Sequence, residues 1–441
     1  MIFNIHKRGF TLVETLVGTA VFVLVSLSAY KAFGVLMDAV SASQAKIAAT
    51  SVANEKFEII RNLPYENVGI PNSIPTGEIP RNQSITRDGY SFDILTTIRN
   101  IDDPFDGTIG GTPSDSSPAD YKLADLDITC SNCKIFPPLK FITLVAPHSL
   151  ETVSSNGALF IRVFDSDGLA IQGASVNIEN TQTNPDIIIE ETTDNEGWIK
   201  IVDAPPGTNA YNIIATKSGF STDQTYPIGG AAGTDPISPD ATVVVQQVTQ
   251  TSLLIDRVSS FTVQTVDSSC VVLPNIDFSL TGTKIIGAPS ILKYDTHNFS
   301  TGSSGNVTIQ DLEADTYETV LTSISYDLSG TSFFPIFTIN PNENKTLQMV
   351  AVPHAGMALL VSVKDSADLP INGATVQLEK GEFNEIKSTN SSPCQTPGQT
   401  FWNNLASGSY TLTVSKIGYQ TSVSTIDVLN NWQNQNIILT P

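Results

Sequence analysis

The sequence is short of the residues on which most active sites are built. It holds only four cysteines and four histidines among its 441 residues. Cys130, Cys133, Cys270 and Cys394 are too few for a disulfide-rich scaffold in a chain this long. His6, His148, His297 and His354 lie far apart without metal-ligand spacing, which removes the usual basis for a zinc site or a His-dependent triad. Charge is also scarce at 15%, and positive charge scarcer still, with 23 Lys and Arg against 44 Asp and Glu and a net charge of −21. Affinity for a phosphate backbone comes from Lys and Arg displacing counterions, so no nucleic-acid partner is expected. No nucleophile, base and orienting group form a recognisable motif; the chain is read as no enzyme, with no catalytic, cofactor-binding or metal residue assigned. What remains is 40% hydrophobic, otherwise rich in Ser, Thr, Asn and Gly. That composition points to an extracellular, β-rich chain, and its length predicts roughly three to four domains.

The first segment contradicts the polar average. Lys7-Arg8-Gly9 is followed by an apolar run from Phe10 to Tyr30, long enough at about 1.5 Å per residue to cross a bilayer core of about 30 Å. Basic residues precede it, so the positive-inside bias places Met1 in the cytoplasm and the rest of the chain outside. A secretory signal peptide cut near Ser26-Leu27-Ser28-Ala29 is the competing reading. Glu14 argues against it. A carboxylate this deep in an apolar run costs about 2.5–3.5 kcal/mol or more, so it needs a partner or a role.

Gly9-Phe10-Thr11-Leu12-Val13-Glu14, behind Lys7-Arg8, resembles the leader and mature start of type IV pilins and type II secretion pseudopilins. The resemblance implies that prepilin peptidase cuts after Gly9, that Phe10 becomes the methylated N-terminal residue, and that Glu14 is the fifth mature residue. Glu14 of one subunit would then pair with the Phe10 amine of a neighbour, offsetting the desolvation of both charges. Many major pilins have a helix-bending proline where this chain has Lys31, which favours a minor pilin or pseudopilin.

The helix is expected to run on to Leu63, since Ala49, Ala53, Phe57 and Ile60 share a face, and Pro64 stops it. Residues 69–87 read as a polar loop. Alternation predicts strands at Tyr90–Ile101, Tyr121–Cys130 and Leu139–Val145. Between the first two, Ile101-Asp102-Asp103-Pro104-Phe105-Asp106-Gly107 reads as a solvated hairpin loop, with calcium chelation by its carboxylates the lesser alternative. Cys130 and Cys133 flank a tight turn outside the membrane and are read as a disulfide. Cys270 and Cys394 stay open between pairing with each other, remaining free and crosslinking subunits.

The rest is an internal repeat of roughly a hundred residues. Leu159-x-Ile161-x-Val163-x-Asp165-Ser166 returns as Phe261-x-Val263-x-Thr265-x-Asp267-Ser268 and Leu359-x-Val361-x-Val363-x-Asp365-Ser366. Gly197 with Tyr211 returns as Gly305 with Tyr317 and Gly398 with Tyr410, and closing strands are expected at Ala241–Val248, Lys345–Val352 and Gln433–Leu439. The pattern resembles carboxypeptidase regulatory-like and collagen-adhesin B-type Ig-like domains, of which the former are non-catalytic appendages. Many adhesin domains form a Lys–Asn isopeptide bond; the matching positions here are Val163, Thr265 and Val363, so none is expected.

The expected fold is an α+β pilin-like module followed by three all-β Ig-like or transthyretin-like sandwiches. The expected boundaries are a leader at 1–9, the helix at 10–64, a β head at 65–149 and Ig-like units at 150–250, 251–354 and 355–441. The expected role is a minor pilin or pseudopilin-like filament subunit projecting its Ig-like units as a stalk or adhesive tip. Its partners would be prepilin peptidase, other pilin subunits, the inner membrane before assembly, and an extracellular peptide or glycan. The alternative is a membrane-tethered binding protein for peptide, glycan or surface polymer that never enters a filament. Either way the chain is placed in a bacterial membrane as a single pass, and on a filament or the cell surface after assembly.

Overall fold

The computed structural model describes residues 11–147, 153–390, 394, 396–429 and 431–441. It opens on one continuous helix, α1, spanning Leu12–Asn62. Thr11 caps it, its hydroxyl accepting the Glu14 N–H at 3.3 Å, which satisfies one of the orphan donors of the first turn. Leu63 leaves the helical region immediately before Pro64, as expected of a residue preceding proline.

The two halves of α1 meet different surroundings. From Leu12 to Met37 the large apolar side chains are exposed, while Ala45, Ala48, Ala49, Val52, Ala53, Phe57 and Ile60 are buried. The buried stripe packs on a four-stranded antiparallel sheet: β1 (Asn82–Arg87), β2 (Tyr90–Ile101), β3 (Tyr121–Cys130) and β4 (Leu139–Val145), in that order. Alternate residues Phe92, Ile94 and Ile98 of β2 and Ala124, Leu126 and Ile128 of β3 face the helix. Removing such side chains from water contributes about 1.5–3 kcal/mol apiece for the larger ones.

One expectation needs correction here. The segment read as a loop through Arg87 ends in β1, which pairs with β2 across Asp88-Gly89. Both turn residues have positive φ, 53° and 83°, the backbone of a type I′ hairpin for which Asp-Gly is suited. β1 carries no apolar alternation because, apart from Ile85, its residues are polar and lie along the sheet edge.

Three sandwich-like units follow with one shared topology. In each, the first strand lies between an antiparallel middle strand and a parallel last strand. Gly157–Phe164 sits between Trp198–Ala204 and Val248–Leu254. Ser259–Val266 sits between Asn306–Leu312 and Asn344–Pro353, and Met357–Lys364 between Gln399–Leu405 and Trp432–Ile438. The opposing sheet pairs the second strand with the tyrosine strand: Ser175–Asn180 with Gly207–Thr216, Asp277–Gly282 with Asp315–Leu321, and Thr375–Lys380 with Gly408–Ser415. Each unit is built around a core, with Ile74 of the head joining the first and Leu360 of the third unit joining the second.

The first closing strand also differs from expectation. Ala241–Val243 pairs with the tyrosine strand, and the chain then crosses to the other sheet as Val248–Leu254. Leu253 and Ile255 complete the first core, so the expected boundary at residue 250 falls inside a strand. The polar Gln246-Gln247 pair marks this crossing, which a single run of β-branched residues conceals.

Candidate assembly helix and the joints of the projecting units

Gly9 and Phe10 lie outside the described residues. Glu14 stands in the first turn of α1, exposed on the bare half. The helix is long and apolar enough to cross a membrane, and its most apolar window is wholly uncovered by the rest of the chain. The docked half is tied at several points. Tyr90 Oη donates to the Ser41 carbonyl at 3.2 Å, Lys134 Nζ lies 2.6 Å from Asp38, Arg61 donates to Thr143 at 2.7 Å, and Arg87 pairs with Glu55. Arg87 holds the Glu55 carboxyl below its ordinary value, first through the hydrogen bond and then through its charge. Cys130 and Cys133 are joined in the structure, and their turn packs by the hairpin through Asn132, which accepts the Ser91 N–H at 2.8 Å.

In the units, the repeated residues do backbone work. Oδ1 of Asp165, Asp267 and Asp365 accepts two N–H groups each, from Asp167 and Leu169, from Ser269 and Val271, and from Ala367 and Leu369, at 2.8–3.1 Å. The Asp165-Ser166-Asp167-Gly168 segment is therefore a side-chain-capped turn, as its composition predicts. Gly197, Gly305 and Gly398 have φ of 66–76°, and a Cβ there would stand 2.3–2.6 Å from a neighbouring atom. Each carbonyl accepts the N–H of Val163, Thr265 or Val363, all three fully buried. Asn275 departs in sequence from Gly173 and Gly373, yet it adopts the same left-handed backbone, φ 56° against 66° and 65°, a conformation Asn tolerates better than most residues. Tyr211, Tyr317 and Tyr410 are buried and donate back to the carbonyls of Pro205, Glu313 and Ala406 at 2.7–2.9 Å. This is the tyrosine corner of Ig-like sandwiches. Burial pushes the Tyr211 hydroxyl up to about 12.

Contacts between successive parts were not legible in the sequence. The head inserts Ile74 into the first unit's core, and Arg99 lies between Glu191 of that unit at 3.2 Å and buried Asp125 of the head at 3.9 Å. Burial raises the Glu191 carboxyl, and Arg99 opposes the shift. Lys122, 6% exposed, donates to the Tyr65 carbonyl at 2.7 Å and lies over that ring; burial pushes its ammonium down to about 8, against the attraction of Asp203 and Glu66. Asp235–Pro236 of the first unit pairs with Ile285–Ala288 of the second. Cys270 of the second is bonded to Cys394 of the third. Around that bond, Gln399 and the Thr331 backbone bond reciprocally at 3.0 Å, and Trp432 Nε1 donates to the Leu328 carbonyl at 2.8 Å.

A long helix bare on its apolar half, with a glutamate in the first turn and a β head on the other half, is the build of a pilin-like subunit. Residues 5–30 match the family model described as the prokaryotic N-terminal methylation motif, which implies processing by prepilin peptidase and assembly with other pilins. The motif and helix fit a membrane-anchored, pilus-associated protein. The search of curated proteins finds no match. Among solved structures, the Bacillus anthracis TIE protein is 14% identical with a TM-score of 0.20, covering 82% of this chain; this chain spans 61% of that one. The Streptococcal ancillary pilin is 9% identical at a TM-score of 0.18, covering 64% of this chain and 98% of its own. The minor pilin of Streptococcus agalactiae is 14% identical at 0.22, covering 45% and 97%. Overlap this slight carries no argument about function.

Proposed function

We propose that the chain is a minor pilin or pseudopilin-like filament subunit, cut by prepilin peptidase after Gly9, whose three Ig-like units project as a stalk or adhesive tip. The observation that carries this reading is α1 itself: behind a matched methylation motif, its apolar half has no cover among the described residues, while its other half is already docked. A filament of like helices supplies that cover. Glu14, exposed in the first turn, would pair with the Phe10 amine of a neighbouring subunit, and a charge pair in an apolar surrounding fixes register, because any slip leaves both charges unpartnered. Three added sandwiches would crowd a densely packed helical core, which supports a minor or terminal position. The role is structural rather than enzymatic, and the exposed faces of the units are available to an extracellular peptide or glycan.

Mass measurement of the mature N-terminus should find methylated Phe10; an intact Met1, or cleavage near Ala29, rejects the reading. Glu14→Ala should abolish incorporation into filaments and leave membrane insertion unchanged. Wild-type chain that is processed yet confined to the membrane would favour the tethered binding protein instead.

A further inference from the structure

The long loop between β2 and β3 of the head folds three carboxylates onto one point. Asp102 leaves the end of β2, Asp115 follows the tight turn around Thr108, and Asp120 immediately precedes β3. The chain is cinched there by Asp115 N–H to the Thr108 carbonyl and Asp120 N–H to the Ile101 carbonyl, both 3.1 Å. One ligand oxygen from each aspartate lies within 4.8 Å of the other two, with Asp102 and Asp115 half-buried and the carboxylate end of Asp120 buried. Asp103 and Asp106, the other acids of the loop, are not in the trio.

Each carboxylate is used on one side only. Asp102 Oδ2 accepts the Ile109 N–H at 2.9 Å, Asp115 Oδ1 accepts the Ser117 N–H at 2.8 Å, and Asp120 Oδ2 accepts the Asp103 N–H. The remaining oxygens, Asp102 Oδ1, Asp115 Oδ2 and Asp120 Oδ1, are sealed from solvent and receive no hydrogen bond. A buried carboxylate oxygen without a donor is costly, and three grouped together repel one another besides. Burial raises the carboxyls of Asp102 and Asp120, and neighbouring carboxylates push the same way: Asp115, Asp120 and Asp106 on the first, Asp106, Asp115 and Asp103 on the second. The hydrogen bonds account for one oxygen of each pair and for the loop's shape. They leave the other three unexplained.

We propose that Asp102, Asp115 and Asp120 hold a calcium ion through these three bare oxygens. The donor set is all hard oxygen, with neither nitrogen nor sulfur, which selects Ca²⁺, Mg²⁺ or Mn²⁺ over zinc or copper. Ca²⁺ takes six to eight oxygens at about 2.3–2.6 Å. Oxygens sharing one such ion are therefore separated by at most roughly 5 Å, the spread found here. Irregular loop ligands suit its loose geometry better than the strict octahedron of Mg²⁺, and backbone carbonyls and water complete the shell. A site with three carboxylates on a surface loop is expected to bind on the order of 10⁻⁴ M, as extracellular calcium modules do. The ion would fasten the loop between the sheet ends, on the side of the head that meets the first Ig-like unit.

The test uses the full chain in detergent, stripped with a chelator and titrated calorimetrically with CaCl₂ and separately with MgCl₂. The expected result is one Ca²⁺ per chain, Mg²⁺ binding being weaker, and loss of at least about tenfold in calcium affinity for Asp102→Asn and Asp120→Asn. Stability supplies the second reading. Millimolar Ca²⁺ should raise the melting temperature of the wild type but not of Asp120→Asn, and in chelator Asp120→Asn should melt at or above the wild type because one repelled charge is gone. Wild-type chain that keeps its far-ultraviolet spectrum and takes up no Ca²⁺ overturns the proposal. So does calcium binding undiminished in both variants, or an Asp120→Asn variant that melts well below the wild type in chelator, which would make the carboxylate a loop brace alone.

Discussion

At the residue scale, single side chains in this protein are specified by backbone geometry more than by chemistry. Asp165, Asp267 and Asp365 recur because a carboxylate can collect two N–H groups of one turn, and Gly197, Gly305 and Gly398 recur because a Cβ has no room. Lys122 follows a different logic, being buried at the joint of head and first unit. Burial lowers its folded value to about 8, whereas an unfolded lysine titrates near 10.4. Between those values the unfolded chain retains a proton that the folded chain has released, so this group's contribution to stability rises with pH. Relative to Lys122→Met, the wild-type melting temperature should therefore climb from about pH 8 to about pH 10. A difference that stays flat over that range would show that Lys122 is solvated and not buried.

At the element scale, α1 is a single helix with two environments, and the change falls where small residues begin. Ala45, Ala48, Ala49 and Ala53 let the helix lie close on the sheet, while the half before them carries Leu, Val and Phe outward. Ala53→Arg should separate helix from sheet, because a buried unpaired charge costs several kcal/mol; limited proteolysis between Asn62 and Asn82 would read the loosening. Arginine in place of the exposed Ser43 should leave the head intact. Periodicity made the helix, its docked face and strands β2 to β4 legible, since apolar spacing is a local property of the chain. β1 lacked that signal. The strand crossing at Gln246-Gln247 was hidden for a similar reason, because two sheets drew on one apolar run.

At the scale of the whole molecule, successive units are joined by contacts between residues far apart in sequence. The Cys270–Cys394 bond closes a separation of 124 residues, and in the chain-entropy account a loop of that size stabilises by roughly 4–5 kcal/mol. Replacing Cys394 by Ser, which leaves the Cys130–Cys133 bond of the head in place, should lower the denaturant midpoint of the second and third units while sparing the head, with tryptophan fluorescence from Trp402 and Trp432 as the probe. An unchanged midpoint would mean that the disulfide adds nothing to the joint already made by Gln399, Thr331 and Trp432.

The sequence by itself determined the helix, the position of Glu14 behind Lys7-Arg8-Gly9, the threefold repeat and the scarcity of catalytic residues, because each is written in local spacing or composition. Only the tertiary structure decided which distant groups meet. It paired Cys270 with Cys394, set Arg99 between Asp125 and Glu191, and gathered Asp115 and Asp120, rather than Asp103 and Asp106, into one group with Asp102. The reason is physical. Periodicity reports which face of an element avoids water, but the direction in which a loop returns depends on the backbone hydrogen bonds it can complete against the finished sheet.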